Sequence, residues 1–332
     1  MSISTPHIDT TASSRHGRFG VAANLERFAS LLVATTLFIV FAMTADVFAT
    51  SNNVRNILEQ ITILAVVAAG QTVVMLSGGL DLSVGSVVLL SEVVVSDLAV
   101  RDGLPVPIAL AAALAAGGLV GLLNGVLIVV LRIEPILVTL GTLLLAAGVA
   151  KLLLGLTYIQ IDNPFFDRLA TAELPGGVPL MVVIMFACYV LVAVTLYRTA
   201  FGKYVYAVGS NRRAATVAGL PAHVTQILSY VVCSVIAAAA GVLNAARLGL
   251  VSPNDGSGLE FASITAALVG GLSVTAGGVG RVERTLVGAV IIGMLVNYQT
   301  IRGVPPNLQQ AMIGGVLLLA VVVDRLLRRG SR

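Results

Sequence analysis

Long apolar runs, each about the length of a membrane-spanning helix, alternate along this chain with short polar segments. A helix needs about 20 apolar residues to cross the hydrocarbon core of a bilayer. Several runs contain Gly or Pro, which neighbouring helices tolerate within a membrane. The pattern predicts ten spans, at 28–48, 55–76, 83–100, 105–131, 134–156, 178–197, 223–246, 260–276, 285–301 and 307–325. We therefore expect an all-α, polytopic membrane protein of about ten transmembrane helices, with the lipid bilayer as its solvent.

Composition strengthens this expectation, because 57% of the 332 residues are hydrophobic and only 11% are charged. Soluble domains average about 25% charged residues. The net charge is +4 and the basic residues are dispersed along the chain, a distribution that argues against a nucleic-acid interface. The two cysteines, Cys188 and Cys233, lie in apolar runs, so neither a disulfide framework nor a metal centre is expected.

Catalytic motifs are missing from the sequence. It contains no phosphate-binding loop with Lys and Ser or Thr, no serine elbow and no pair of carboxylates at catalytic spacing. We therefore expect no catalytic residue, no cofactor and no metal, and we do not expect an enzyme. The chain is therefore not expected to bind and hydrolyse ATP through a phosphate-binding loop.

The distribution of basic residues predicts the orientation. Most of the 20 Lys and Arg residues fall in segments that are cytoplasmic if the amino terminus is inside, as the positive-inside rule requires. Both termini are then cytoplasmic. We expect a disordered tail over 1–27, a transmembrane domain over 28–326 and a basic cytoplasmic tail over 327–332.

A weak internal similarity suggests two repeats. Ala68-Ala69-Gly70 and Ala239-Ala240-Gly241 both lie in the middle of a predicted span. The two spans that carry them are expected to run in opposite directions, which would fit two inverted five-helix repeats, a common plan among transporters. Pairs of Ala and Gly are frequent in membrane helices, so coincidence is the alternative.

A polar strip at 207–220 separates the sixth and seventh predicted spans. Ser210 or Asn211 can cap the amino end of a short helix, while Gly219 and Pro221 are typical of a helix end. Two arginines place this helix on the cytoplasmic side, where a soluble partner can grip it. The residues expected to couple the chain to that partner are Gly209, Asn211, Arg212, Arg213, Ala214, Ala215 and Gly219.

A second polar motif, at 78–85, interrupts an apolar hairpin. Gly78 and Gly79 permit a sharp break, after which Asp81 or Ser83 can cap the third span and satisfy free backbone donors. The alternative is that Asp81 binds a cation or contacts substrate. The residues of this helix-break motif are Gly78, Gly79, Asp81, Ser83 and Gly85.

Glu92 lies well inside the third span, where a carboxylate is costly and is expected to face a cavity, a partner or another subunit. A merely tolerated interior site is the alternative. We group Glu92 with Asn124 and Asn244 as candidates for the transport pathway or a subunit contact.

The segments predicted to face outward offer candidate docking residues. The loop at 157–177 is acidic and aromatic, and a tight turn with Gly256 and Gly258 joins the seventh and eighth spans. Both could instead be plain solvated connectors. The candidate docking residues for a soluble outer protein are Asp162, Phe165, Asp167, Asp255 and Glu260.

Taken together, four blocks make the chain resemble the membrane permease of bacterial ABC importers for simple sugars, the ribose-type family. They are the helix-break motif at 78–85, the strip at 207–220, the segment at 258–271, and Pro135 with 138–142. The resemblance extends from about residue 50 to 325. Arg212 and Arg213 depart from the family, which usually carries an acidic residue there.

The resemblance implies an assembly in the bacterial inner membrane. A second permease, either another copy or a paralogue, would pair with this chain. A cytoplasmic ABC ATPase would bind the strip at 207–220, and a sugar-binding protein would dock outside. The substrate would be a ribose-like pentose, a hexose or a related sugar, moved by alternating access.

Two other classes fit parts of the sequence. Asp81 and Glu92 favour a secondary transporter driven by an ion gradient, since buried carboxylates serve as proton or sodium sites. A membrane scaffold without transport is the third class, although ten spans broken by Gly are more than a scaffold needs.

Overall fold

A computed structural model describes residues 15–155, 157–273 and 277–329. These form thirteen α-helices, one π-helical turn at Asp97–Arg101 and four short strands. The helices are α1 Arg15–Thr44, α2 Ser51–Leu76, α3 Val84–Ser96, α4 Val106–Val129, α5 Pro135–Leu154, α6 Pro164–Thr171, α7 Leu180–Arg198, α8 Ala200–Ser210, α9 Arg212–Val217, α10 Ala222–Leu248, α11 Leu259–Val269, α12 Val282–Ile301 and α13 Pro306–Arg329. The strands are β1 Ile159–Gln160, β2 Glu173–Leu174, β3 Val178–Pro179 and β4 Leu250–Val251, of which β1 pairs with β4 and β2 with β3, both antiparallel.

The all-α, polytopic fold class is confirmed. Each of the ten expected spans corresponds to a helix among the described residues. Seven helices are long and apolar enough to cross a membrane, namely α2, α4, α5, α7, α10, α12 and α13. The remaining three, α1, α3 and α11, have shorter apolar stretches.

The eighth expected span, at 260–276, is shorter than predicted. Helix α11 ends at Val269, and Gly271 then adopts a φ of +91° that turns the chain. At 1.5 Å per residue, the 11 residues of α11 rise only about 16 Å, about half the hydrocarbon thickness. Residues 274–276 lie outside the described part of the chain.

The expectation of a disordered tail over 1–27 also differs from the structure. Helix α1 begins at Arg15, so residues 15–27 continue the first span as a helix. This stretch contains Ala22, Ala23 and Leu25, which are strong helix formers. Residues 1–14 and 330–332 lie outside the described residues, and 327–329 belong to the end of α13.

The packing neighbours of the two short helices correspond between the halves of the chain. Helix α3 packs on α4, α5 and α10, while α11 packs on α12, α13 and α2. These are equivalent partners if α1–α5 and α7–α13 are repeats with α6, α8 and α9 inserted. The contact pattern is that expected of an internal repeat.

Helices α2 and α10 form the centre of the bundle. Helix α10 packs on α2, α3 and α4, and Gly70 of α2 lies against the backbone of Cys233 on α10. Small residues permit such close helix crossings in membranes. By contrast, no residue in the apolar part of α13 is buried, and most of α5 is exposed. The outer faces of α5 and α13 are therefore available to lipid or to another subunit.

Candidate functional site

Helix α9 is a short, capped helix at one end of the bundle, which we call the α9 end. The side-chain oxygen Oδ1 of Asn211 accepts a hydrogen bond from the Ala214 N–H over 2.9 Å, and Gly219 has a φ of +79° just beyond the helix. Asn211 rather than Ser210 is thus the cap. The polar strip at 207–220 is divided between two helices, because residues 207–210 belong to α8.

Most of α9 faces away from the protein. Arg212, Arg213 and Ala214 are exposed, and Val217 is 83% exposed although it is apolar. Only Ala215 is buried in α9, where it packs with Val208 and neighbouring residues of α8 and α10. The helix therefore presents a mixed basic and apolar surface while one buried residue fixes it to the bundle.

The base of α9 is held by a group of close backbone contacts that we call the glycine junction, consisting of Gly78, Gly209, Gly277 and Gly278. The Gly278 N–H donates to the Leu76 carbonyl over 2.8 Å. A Cβ at Gly277 would lie 2.6 Å from the Gly209 carbonyl oxygen and 2.8 Å from the Gly78 Cα. The junction thus joins three distant segments, and only glycine fits there.

Tyrosines provide a second attachment at the α9 end. The Tyr197 hydroxyl donates to Glu283 over 2.6 Å, and Arg281 pairs with Glu283 over 2.8 Å. The Tyr206 hydroxyl of α8 donates to the Gly280 carbonyl over 3.2 Å. Burial raises the pKa of Tyr206, so its hydroxyl stays protonated and remains a donor. These contacts tie α7 and α8 to the start of α12.

A cavity of about 960 Å³ lies beside α9. Its lining includes the break after α2, the α4–α5 turn and α9 itself. The lining residues include Gly78, Glu134, Arg213 and Thr216 from these segments, together with Tyr230 of α10. Movement of α9 would therefore directly change the shape of this cavity.

The helix-break motif is fixed by hydrogen bonds within the chain. Oδ1 of Asp81 accepts from the Ser83 N–H over 2.9 Å and from the Ser83 hydroxyl over 2.6 Å, which fixes the turn just before α3. The Gln71 amide faces both backbone groups of Asp81. In the amide orientation that satisfies both groups, it donates to the Asp81 carbonyl over 3.1 Å and accepts from the Asp81 N–H over 3.2 Å. The Asp81 carboxylate therefore stabilises the turn that leads into α3, while Ser83 occupies the cap position without a side-chain capping bond.

Asn124 extends this network to two further helices. Its Nδ2 donates to the Ser83 hydroxyl over 2.9 Å, and its Oδ1 accepts from the Thr142 hydroxyl over 2.7 Å. Asn124 lies on α4 and Thr142 on α5, and both are buried. The motif is therefore connected by side chains to α4 and α5.

Glu92 and Asn244 are brought together in the structure. Nδ2 of Asn244 on α10 donates to Oε1 of Glu92 on α3 over 2.7 Å, and neither Glu92 nor Asn124 has measurable exposure. Burial of Glu92, Asn124 and Asn244 inside the chain argues against a subunit contact, and a place in the transport pathway stays a prediction. Each finds its partner inside the chain, and none lines the cavity beside α9 or the one described below.

The two short helices begin close to each other. A Cβ at Gly85, in the first turn of α3, would lie 2.5 Å from the Gly256 carbonyl and would overlap the carboxylate of Glu260 in the first turn of α11. The loop after α10 therefore returns into the interior before α11 begins. The carboxylate of Glu260 lies where the positive ends of two helix dipoles meet.

Because the loop returns into the interior, the surroundings of two docking candidates differ from the outer surface that was expected. Glu260 is only 8% exposed and accepts from the Gly258 N–H over 3.2 Å. Asp255 is half-buried and accepts from the Ser252 N–H over 2.6 Å. Both carboxylates accept from backbone donors of their own loop. Because Glu260 is buried, it does not belong to an outer surface, whereas docking at the half-buried Asp255 stays a prediction.

The other three docking candidates form a surface at the opposite end of the bundle, the α6 end. Asp162, Phe165 and Asp167 are exposed on and beside α6, while Phe166 and Leu169 are buried beneath it. Helix α6 packs on α7 and α10. We call Asp162, Phe165 and Asp167 the loop surface. It is acidic, contains an aromatic side chain and is held in place by the packing of α6 on the bundle.

A second cavity, of about 990 Å³, lies beneath α13. Parts of α2, α11 and α12 complete its walls. The lining is mostly apolar but includes Gln60, Asn307 and Gln310 together with the aromatic ring of Phe261. An apolar cavity with a few polar groups is the usual form of a small-molecule site.

Comparisons with known proteins agree over most of the chain. The family described as "Branched-chain amino acid transport system / permease component" matches residues 53–321. The ribose import permease protein RbsC of Escherichia coli (strain K12) is 34% identical over 318 residues, which cover 95% of this chain and 98% of that protein. The L-arabinose ABC transporter permease protein AraH of Azospirillum brasilense is 34% identical over 329 residues, which cover 99% and 96%.

A further similarity is to the fructose import permease protein FrcC of Rhizobium meliloti, which is 34% identical over 285 residues, or 82% of this chain and 78% of that protein. No solved structure matches this chain significantly. The family match includes every helix from α2 to α12 and most of α13.

Proposed function

Because the chain belongs to the family of transport-system permease components, we propose that it forms the membrane pathway of an ABC importer and moves a simple sugar into the cytoplasm by alternating access. It is a transport subunit and not an enzyme, and it is a multi-pass protein of the inner membrane. The named substrates of its relatives, which are ribose, L-arabinose and fructose, support a pentose or hexose as the substrate.

The exposed helix α9 is the observation that carries this proposal. Its cap at Asn211 and its exposed residues Arg213 and Val217 suit a surface that another protein grips. Its base is fixed to the ends of α2 and α8 by the glycine junction. We assign the partner as the cytoplasmic ABC ATPase, so that the α9 end and both termini face the cytoplasm.

Alternating access follows if ATP binding closes the ATPase pair and moves α9 as a rigid unit. Motion of α9 is passed to the breaks after α2 and before α12, and the helices rock until the α6 end opens. ATP hydrolysis then resets the assembly. In this scheme α9 performs no chemistry and transmits a difference in interaction energy between two global states.

The remaining partners are assigned to surfaces of matching character. A sugar-binding protein docks at the α6 end on the loop surface. A second permease, identical or related, covers apolar residues of α5 and α13 that the chain leaves exposed, such as Leu144 and Leu318. The cavity beneath α13 is the proposed sugar site, because the amides of Gln60 and Gln310 suit sugar hydroxyls and Phe261 offers a stacking face.

We expect uptake to require ATP. The complex, purified with its ATPase and reconstituted in liposomes, is given radiolabelled D-ribose, L-arabinose or D-fructose with the sugar-binding protein outside. At least one sugar should accumulate only when ATP is in the lumen, and an ionophore should not reduce it. Uptake without ATP that collapses on adding the ionophore would instead identify a secondary transporter, and no ATP-driven uptake of any of the three sugars would contradict the sugar assignment.

Charge reversal on the loop surface should weaken docking of the binding protein. Asp162→Lys and Asp167→Lys together should raise the concentration of binding protein needed for half-maximal uptake by about tenfold, and more at low salt, since exposed charges mainly steer association. Asp46→Lys is the control, because Asp46 is exposed at the α1–α2 turn and outside the loop surface. Equal effects of the loop and control variants would refute this docking site.

A further inference from the structure

A directed chain of hydrogen bonds crosses three helices. The Thr142 hydroxyl donates to Asn124, Asn124 donates to the Ser83 hydroxyl, and that hydroxyl donates to Asp81, over 2.7, 2.9 and 2.6 Å respectively. All four residues are buried, so water does not compete for these bonds. Each donor points toward the carboxylate, an arrangement in which successive bonds strengthen one another.

The Asp81 end of this chain adjoins the base of α9. Asp81 lies three residues beyond Gly78, which contributes to the glycine junction with Gly209. Gln71 holds both backbone groups of Asp81 on α2. A movement of Gly209 therefore displaces the segment at 78–83. Because this segment is short and held by hydrogen bonds, it is expected to move with Gly209.

At its other end the chain of hydrogen bonds begins at Thr142 on α5, a helix with one exposed face. Helix α5 packs mainly on α3 and α4, and its opposite face is exposed, with Leu144 72% and Leu152 83% exposed. At the far end of α5, Arg101 of the π-helical turn after α3 also donates to the Leu153 and Leu154 carbonyls over 3.3 and 3.1 Å, so Thr142 is the link nearer the helix-break motif. If α5 did not follow the segment at 78–83, Asn124 would lose a buried partner, which is unfavourable.

We infer that Ser83, Asn124 and Thr142 form a relay of positioning residues that transmits movement of α9 through the glycine junction to α5. The inference rests on the proposed function and adds that α5 is the first membrane helix to respond when α9 moves. Breaking the relay should separate ATP hydrolysis from transport, because α9 can still move while α5 no longer follows.

Thr142→Val tests the relay with the smallest possible change, since it replaces the hydroxyl by a methyl. In the reconstituted complex, the number of sugar molecules taken up per ATP hydrolysed should fall by about tenfold, within the range of typical coupling between sites. The stimulated ATPase rate should remain within about twofold of the original. Thr142→Ser restores the donor and should restore the ratio.

Thr139→Val is the matched control. Thr139 is buried on the same helix, but its hydroxyl donates only to the Pro135 carbonyl of its own helix over 2.9 Å. The control should leave the transport ratio unchanged. In addition, Asn124→Ala and the double variant with Thr142→Val should have the same ratio, because Asn124→Ala already removes both bonds of Asn124 and leaves Thr142 no bond of the relay to lose.

Two results would overturn the relay while the original complex still shows ATP-driven uptake. One is a transport ratio of Thr142→Val equal to that of Thr139→Val. The other is additive effects of Asn124→Ala and Thr142→Val. Absence of ATP-driven uptake in the original complex would instead contradict the proposed function, so the two failures are distinguishable.

Discussion

Deletion of residues 211–218 should abolish uptake while leaving the chain inserted in the membrane. The deletion removes α9 and its cap, which form only a few contacts with the bundle, mostly through Ala215. Loss of an interface centre typically removes about 2–4 kcal/mol of binding energy, so we expect uptake to fall by at least about 30-fold. The measurements are uptake in the reconstituted system, co-purification of the ATPase and abundance in the membrane fraction.

A single substitution distinguishes loss of ATPase binding from loss of the folded structure. Val217→Asp changes an 83% exposed residue and should reduce ATPase binding without affecting thermal stability. Val178→Asp is its control, because Val178 is 41% exposed but lies at the α6 end. Normal uptake after the deletion, or equal losses in the two valine variants, would contradict the assignment of α9.

At the α9 end, Gly209→Ala should be the addition of a single methyl group that most reduces stability and uptake. The added Cβ would overlap the Leu76 carbonyl oxygen and lie 2.6 Å from the Gly278 nitrogen. Both are backbone atoms, so rotation of a side chain cannot relieve the overlap. Overpacking of this kind costs about 3 kcal/mol, and we expect a lower Tm of the purified chain together with loss of uptake.

Gly141→Ala provides the comparison. A Cβ at Gly141 on α5 would meet no atom within 4 Å among the described residues. Because Ala is favoured over Gly in a helix by about 1 kcal/mol, this variant should keep or slightly raise the Tm and retain uptake. A Gly209→Ala variant with both an unchanged Tm and unchanged uptake would show that the glycine junction is not tightly packed.

Local signals in the sequence predicted the parts of the site that depend on neighbours along the chain. Asn211 and Gly219 mark the two ends of α9, and Asp81 accepts from the backbone N–H of Ser83 two residues away, just before α3. These roles are determined by hydrogen bonds within a few residues, so residue type and spacing are sufficient. The same holds for the apolar runs that predicted the helices.

Contacts between distant segments could not be predicted in this way. Glu260 was expected at an outer surface because it follows a glycine-rich turn, yet the turn folds inward and buries its carboxylate against Gly85. Thr142 carried no signal of its own, since a lone Thr within a span usually bonds its own helix. Glu92 was expected to need a partner, but only the packing of α3 on α10 identifies Asn244.

The inward loop before α11 has a consequence for how the protein is made. The first turn of α3 is completed by Gly256 and Glu260, which leave the ribosome more than a hundred residues after Gly85. Helix α10 likewise covers α2, α3 and α4. During translation the amino-terminal half is therefore inserted in the lipid before its interior is fully packed. The last step of folding is the packing of the carboxy-terminal half against it.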